Sequence, residues 1–382
     1  MTELAIPQAP DQDTPEAREY NRTKRWLEIA DTVLGAAVLV VLLVTGWTML
    51  LRDRALRIAG DRYALALFIY VVMLAALAKL AGVALEYYGF RLEHKHHLST
   101  QKFGAWALDE LKGWLVGVVL GTVVAELVYW LIRTSPQNWW LWAWASFIVL
   151  FVVFAQLAPV VLFPIFYKFV PLENEELKAR LVKLSEAAGT RVRGVYEWKL
   201  SEKSKKANAA LTGLGNTRRI ILSDTLLQNY SEDEIESVLA HELGHHVHKH
   251  IFKSIAIQAG ITLIGFWAAN LVLEYSVRSM GMFPAVYDFA NIPLLALVST
   301  VLSLLLLPAM NAFSRHNERE ADDYCWKSTP SVGPFISAMQ KLSQQNLSEK
   351  TPSRLVEILF HSHPAVSKRI ARAQAFRQSH SH

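Results

Sequence analysis

The segment His241-Glu242-Leu243-Gly244-His245 carries the residue types and spacing that most directly specify a reaction. Two histidines four residues apart project from one helical face, close enough to ligate a single zinc ion. Glu242 points about 100° away from His241, which lets its carboxylate touch a metal-bound water instead of the metal. Zinc lowers the pKa of such a water towards about 7, and the carboxylate accepts its proton as it attacks a carbonyl carbon. The pattern therefore predicts hydrolysis, with His241 and His245 as ligands and Glu242 as general base. His246, His248 and His250 follow closely. His248 shares the face of His241 but lies about 10 Å along the axis, too far for both to hold one ion. All three read as solvated or interfacial histidines.

A catalytic zinc needs a third protein ligand and keeps its fourth position for water. The run Ser314-Arg315-His316-Asn317-Glu318-Arg319-Glu320-Ala321-Asp322 offers acids for this role. On a helix, Glu318 and Asp322 share a face. One can bind the metal while the other accepts the N–H of a ligating histidine and fixes its tautomer. Spacing alone leaves Glu318 and Glu320 open as ligands. The plainer alternative is that these acids pair with Arg315 and Arg319 on a wet helix face.

The elements that must position these groups are set by composition. The 382 residues are 52% apolar and only 19% charged, and the mean hydropathy is +0.20, less charge than a soluble protein of this size carries. Four of the twelve tryptophans crowd into Trp139, Trp140, Trp142 and Trp144, as suits a membrane–water interface. A net charge of +5 is scattered between apolar blocks, which argues for membrane topology and against nucleic-acid binding. One cysteine, Cys325, excludes an intrachain disulfide and fits a reducing compartment. No cleavable signal peptide is visible, and residues 1–28 read as a disordered polar tail.

About six stretches are long and apolar enough to cross a bilayer: 29–51, 63–87, 111–132, 139–163, 251–273 and 292–310. The chain thus divides into a tail (1–28), four membrane helices (29–169), a soluble insert (170–250), a membrane hairpin (251–310) and a soluble C-terminal part (311–382). In the insert, residues 173–188 have helical spacing, and 195–200, 207–211 and 219–222 read as short strands. Ser231 followed by Glu234 is a capping box, opening a helix that runs through His250 into the fifth span. A hairpin of spans five and six brings its two ends together, and those ends carry His241, His245 and the acidic run. The metal is expected at one membrane face. Arg18, Arg22, Lys24 and Arg25 before the first span, with Arg91, Lys95 and Lys102 in the second loop, make that face cytoplasmic; Arg52, Arg54, Arg57 and Arg62 weigh the other way.

His241-Glu242-x-x-His245 with Glu318-x-x-Ala321-Asp322 after two further spans resembles the M48 peptidases, and within them the Ste24 type, the CAAX prenyl protease 1 family. The resemblance extends over most of the chain: Glu93-His94-Lys95-His96 with Gln101, Pro171-Leu172, Ser204 to Gly213, Arg219 to Leu227, and His363-Pro364 with Arg369-Ile370. It implies an α-helical integral membrane protein with an inserted α+β, gluzincin-like zinc protease domain. It makes His241, His245 and Glu318 the ligands of one zinc ion, Glu242 the base and Asp322 the partner of a ligating histidine. Asn208, Ala209 and Ala210 become an edge strand that aligns substrate by β-augmentation, and His363 a donor to the oxyanion. A turn role before Pro364 is nearly as good a reading of His363. Arg369 is either substrate-binding or an ion partner of a buried acid. The implied partners are the lipid bilayer and a peptide or protein substrate, including C-terminally prenylated ones. Two departures stand out: the eukaryotic enzymes have seven spans, and one near the N-terminus is missing here. Four spans before the His helix favour the Ste24 type over the HtpX-type quality-control proteases.

Lys79, Glu86, Glu126, Gln156 and Asn270 lie within spans, where a lipid-facing position is costly. They are expected to face a water-filled chamber; pairing among themselves, such as Lys79 with Glu126, is the alternative. The competing functions are a metal-regulated membrane transporter, which assigns no proton-transfer role to Glu242, and a non-catalytic quality-control or scaffold protein that keeps the motif for stability.

Overall fold

The computed structural model describes residues 13–60, 62–213 and 217–380. Six helices among them are long and apolar enough to cross a membrane: Pro15–Val44, Tyr63–Lys95, Phe103–Thr134, Trp139–Phe166, His250–Arg278 and Phe289–Ser328.

Thr14 Oγ1 accepts from Ala17 N at 3.1 Å, and Pro15 occupies the first turn, so helix α1 (Pro15–Val44) starts well before its apolar stretch. This corrects the expected tail: from Pro15 onwards it is helix, and residues 1–12 lie outside the described residues. The charged turns hold α1 to the rest of the molecule. Arg25 Nη1 meets Glu349 Oε2 at 2.5 Å, and Tyr20 packs with Leu92 and Leu98. The first expected span also ends early. Gly46, at φ +71°, turns the chain into a short helix α2 (Trp47–Ala59), which closes on Gly60 at φ +59°. Arg52 on α2 pairs with Asp53 at 2.7 Å and with Asp288.

Helices α3 (Tyr63–Lys95), α4 (Phe103–Thr134) and α5 (Trp139–Leu157) complete the first membrane bundle, and the one-turn α6 (Phe163–Phe166) leads out of it. The hairpin partners are α10 (His250–Arg278) and α11 (Ile292–Ser328). Polar bonds tie the bundle together at the end away from the insert. Thr48 Oγ1 donates to the Ala290 carbonyl at 2.5 Å, and Trp139 Nε1 donates to Asn270 Oδ1 at 2.7 Å.

A cavity of about 1340 Å³ lies among α1, α3, α4, α5, α10 and α11, with Leu39, Ala78, Leu120, Phe147, Gly265 and Leu306 in its walls and Asp31 among its few polar groups. None of the five intramembrane polar residues singled out from the sequence lines it. Lys79 Nζ instead donates to Glu86 and Glu110, each at 2.6 Å, so it is not paired with Glu126. Gln156 bonds Thr217 at 3.2 Å.

The insert forms a four-stranded sheet of order β1-β2-β4-β3, from β1 (Phe169–Pro171), β2 (Val195–Trp198), β3 (Ala209–Thr212) and β4 (Arg219–Ser223). β2 and β4 run parallel, and the two outer pairings are antiparallel. Ile220 and Leu222 on β4 face a core shared with Leu177 and Leu181 of α7 (Glu175–Ala187), Leu226 of α8 (Asp224–Asn229) and Ile235, Leu239 and Leu243 of α9 (Glu232–Val247). The capping box forms as expected: Ser231 Oγ accepts from Glu234 N at 3.3 Å, and Glu234 Oε2 accepts from Ser231 N at 2.8 Å. The helix it opens does not continue into the membrane. It stops at Val247, and Lys249 adopts φ +56° before α10 begins. After α11 the chain closes with α12 (Gly333–Gln345), α13 (Arg354–Phe360) and α14 (Val366–Ser379), and α12 and α14 pack with Trp326 in a small core.

Candidate metal centre

α9 and the C-terminal half of α11 cross at close range, because Gly244 has no side chain. A Cβ built there would lie 2.8 Å from Ala321 Cα and 2.9 Å from the Ala321 carbonyl oxygen. The crossing sets His241 and His245 on α9 directly opposite Glu318 on α11. His241 Nε2 and His245 Nε2 are 3.3 Å apart, and Glu318 lies 3.2 Å from the first and 3.3 Å from the second. A tetrahedral zinc with bonds of about 2.0–2.1 Å has ligand–ligand edges of roughly 3.3 Å. The triangle fits that ion. Glu318 Oε2 is also buried without a hydrogen-bond partner among the described residues, a costly state that a cation relieves. The donor set, two imidazoles and a carboxylate, is that of a hydrolytic zinc site.

Each histidine is held from behind. His241 Nδ1 meets Asp322 Oδ1 at 2.9 Å, which makes Nδ1 the donor and frees Nε2. Asp322 is in turn gripped by Arg369, through Nη2 to Oδ1 at 2.6 Å and Nε to Oδ2 at 3.0 Å. Of the two readings of Arg369, the ion partner of a buried acid is the one seen. Burial opposes a charge on His241, but the neighbouring carboxylates of Asp322 and Glu318 win and raise its pKa to about 9. A metal on Nε2 takes the place of that proton. Removing Arg369 leaves the fully buried Asp322 carboxylate without its guanidinium, held only by His241, at a cost of up to about 3–5 kcal/mol. Arg369→Ala should therefore lower the thermal unfolding midpoint sharply, while Arg369→Lys, which keeps the charge but not the fork, loses less.

Glu242 projects into a cleft of about 550 Å³ that His241, Asn208, Ala209, His363 and Arg369 also line. Its carboxylate makes no hydrogen bond or ion pair among the described residues, and burial raises its pKa above the usual carboxylate value, with His241 and His245 opposing. His363 Nε2 stands 3.2 Å from Glu318 Oε1. Arg315, one turn before Glu318, donates to the carbonyls of Glu357 and His361 at 2.8 and 2.7 Å and so pins the loop that carries His363. β3 is the edge strand, as expected. Asn208 bonds back to Ser223, so by antiparallel alternation Ala209 and Leu211 turn their backbone groups to the open edge. Ala210 pairs with Ile221 and does not line the cleft.

The structure brings together His241, Glu242, His245, Glu318, Asp322, His363 and Arg369. Sequence reasoning missed the clamp by Arg315, and it took His250 for a solvated or interfacial residue. His250 is buried, 2.9 Å from His245 Nδ1. Its position on a helical pattern gave no signal of this, because the break at Lys249 is marked by neither Gly nor Pro. Glu320, left open as a ligand, is outside the triangle and bonds His250 at 2.9 Å.

Residues 171–377 match the model described as Peptidase family M48, and residues 5–168 match one described as CAAX prenyl protease N-terminal, five membrane helices. The described part of that region holds α1 to α5 and the one-turn α6, and α2, at 13 residues, is too short to span. The metalloprotease YhfN of Bacillus subtilis is 32% identical over 363 residues, covering 94% of this chain and 84% of that protein. The probable CAAX prenyl protease 1 of Schizosaccharomyces pombe is 26% identical, covering 93% and 78%. The crystal structure of Saccharomyces mikatae Ste24p superposes with a TM-score of 0.81 at 24% identity, over 93% of this chain and 87% of that one, and so has the same fold.

Proposed function

This chain belongs to peptidase family M48, with the Ste24-type membrane architecture, and from that premise we propose that it is a zinc endopeptidase cutting membrane-associated or CAAX-type prenylated peptides. The observation that carries the reading is the triangle of His241, His245 and Glu318 with the unbonded Glu242 carboxylate beside it. Bound there, zinc would supply Lewis acidity and a water poised to lose its proton. The remaining work falls to the protein. A substrate strand adds to the open edge of β3 through the backbone of Ala209 and Leu211, which sets its carbonyl in the cleft. Glu242 accepts a proton on its carboxylate and returns it to the leaving amine; its raised pKa suits both steps. His363, at the cleft rim, donates towards the developing oxyanion. Arg369 acts through Asp322 on His241.

The apolar cavity among the membrane helices suits a lipid or hydrophobic segment of the substrate. The metal triangle lies at the membrane end where the charged turns of α1 and the α3–α4 loop meet the insert, through Lys206 with Tyr20 at 3.1 Å and a bridge between Ser99 and Ser204. Those same segments hold the basic residues that the positive-inside rule places in the cytoplasm. Arg52, Arg54, Arg57 and Arg62 weigh the other way; of these, Arg52 pairs with Asp53 and Asp288. The match of residues 5–168 favours the Ste24 type over an HtpX-like quality-control enzyme.

A chelator should stop cleavage of a reporter peptide, and added zinc should restore it. With zinc present, a farnesylated CAAX peptide should be cut faster than its unprenylated twin. Equal rates would remove lipid recognition from the reading. Cleavage of neither would remove the substrate class.

A further inference from the structure

We propose that His250 and Glu320 are positioning residues for His245, fixing its tautomer and ring orientation as Asp322 and Arg369 do for His241. The proposal rests on His245 being a metal ligand.

The hydrogen-bond directions are determined by chemistry. A histidine that offers Nε2 to a metal must carry its proton on Nδ1. His245 Nδ1 faces His250 Nδ1 at 2.9 Å, and two imidazole nitrogens at that distance need one donor and one acceptor. His250 Nδ1 is then the acceptor, and its own proton sits on Nε2. That nitrogen meets Glu320 Oε2 at 2.9 Å, an acceptor by nature. Every atom in the row has the role its neighbour needs. Lys253 Nζ, 3.1 Å from the same oxygen, holds the Glu320 carboxylate in place. The row ends as the His241 row ends, in a carboxylate held by a cation.

The backbone is bent to make this contact. On an unbroken helix His250 would point about 140° away from His245. The break after Val247, with Lys249 at φ +56°, folds the start of α10 back and buries His250 against the ligand. A lysine in the left-handed region is strained, and such strain persists where surrounding contacts fix it. Glu320 lies two residues from Glu318 on the same helix. One helix therefore supplies a metal ligand and the outer partners of both histidines.

The test uses the full-length protein in detergent and three substitutions. His250→Phe keeps a planar ring and removes the acceptor. His250→Gln keeps an acceptor oxygen, and Glu320→Ala removes only the end of the row. Zinc affinity is read by competition with a chromogenic chelator, and His245 ligation by the visible spectrum of the cobalt-substituted protein. His250→Phe should weaken zinc about 10- to 100-fold and shift the cobalt spectrum. His250→Gln should weaken it several-fold less than His250→Phe. Glu320→Ala should weaken it with no change in the unfolding midpoint of the metal-free protein. Wild-type zinc affinity and cobalt spectrum in both His250→Gln and Glu320→Ala would overturn the proposal, even if His250→Phe failed to fold. Equal weakening by Gln and Phe would overturn it too, because packing alone would then explain the loss. A wild-type protein that holds no zinc would remove the ligand reading first, and this proposal with it.

Discussion

Replacing Glu242 by Gln should lower peptide cleavage by about 10²- to 10⁴-fold while the protein keeps its zinc and its stability. The three effects separate cleanly because of where Glu242 sits. It is outside the triangle of His241, His245 and Glu318, so the metal loses no ligand. Its carboxylate bonds to nothing among the described residues, so no buried partner is stranded by the change. Gln has the same shape and cannot take up a proton. Activity against a reporter peptide, zinc content by atomic absorption and thermal unfolding should be measured on one preparation. Unchanged cleavage would remove Glu242 from the reaction. Lost zinc would mean that the carboxylate helps to hold the metal. Survival of some transport activity alongside lost cleavage would reopen the reading of a metal-regulated transporter.

How far the site was legible in the sequence follows from the range of each interaction. His241, Glu242 and His245 lie within one helical turn, and helical periodicity reports directly on such neighbours. Glu318 and Asp322 share a face for the same reason. Glu320, two residues on from Glu318, points elsewhere, and the structure finds it on His250. What periodicity cannot carry is a change of direction that no residue type announces. Lys249 breaks the helix without a Gly or Pro, and so His250 read as a continuation of a helix it does not belong to. Gly46 sits inside an apolar run long enough to span, so hydropathy alone gives no sign of the turn there. The charged turns of α1 read as a polar tail because their partners, Glu349 and Glu93, lie far along the chain. The cavity is more remote still. It is a gap between six helices, and its lining is mostly apolar, as membrane helices are throughout, so composition gives no sign of it.

Gly244→Ala should cost the protein its metal although no ligand is touched. A helix-interior Gly→Ala change is ordinarily stabilising by about 0.5–1 kcal/mol, so the expected sign here is reversed by one contact. The new Cβ would sit 2.8 Å from Ala321 Cα and 2.9 Å from its carbonyl oxygen, and both are backbone atoms that no rotamer change can move aside. Relief requires α9 and α11 to separate. Those helices hold the two sides of the metal triangle, whose edges are only 3.2 and 3.3 Å across the gap. A separation of several tenths of an ångström takes Glu318 out of the narrow bond range a zinc accepts. Overpacking of this kind costs about 1–3 kcal/mol and sometimes more, and the loss of bound metal adds to it by linkage. Gly260→Ala on the adjoining helix α10 is the control, since a Cβ there meets nothing within 4 Å. The two alanine variants should diverge: the control binds zinc and cleaves as wild type does, while Gly244→Ala unfolds at lower temperature and binds zinc at least tenfold more weakly. Equal zinc affinity in the two would show that α9 and α11 can part without cost to the site, and the close crossing would then be packing alone.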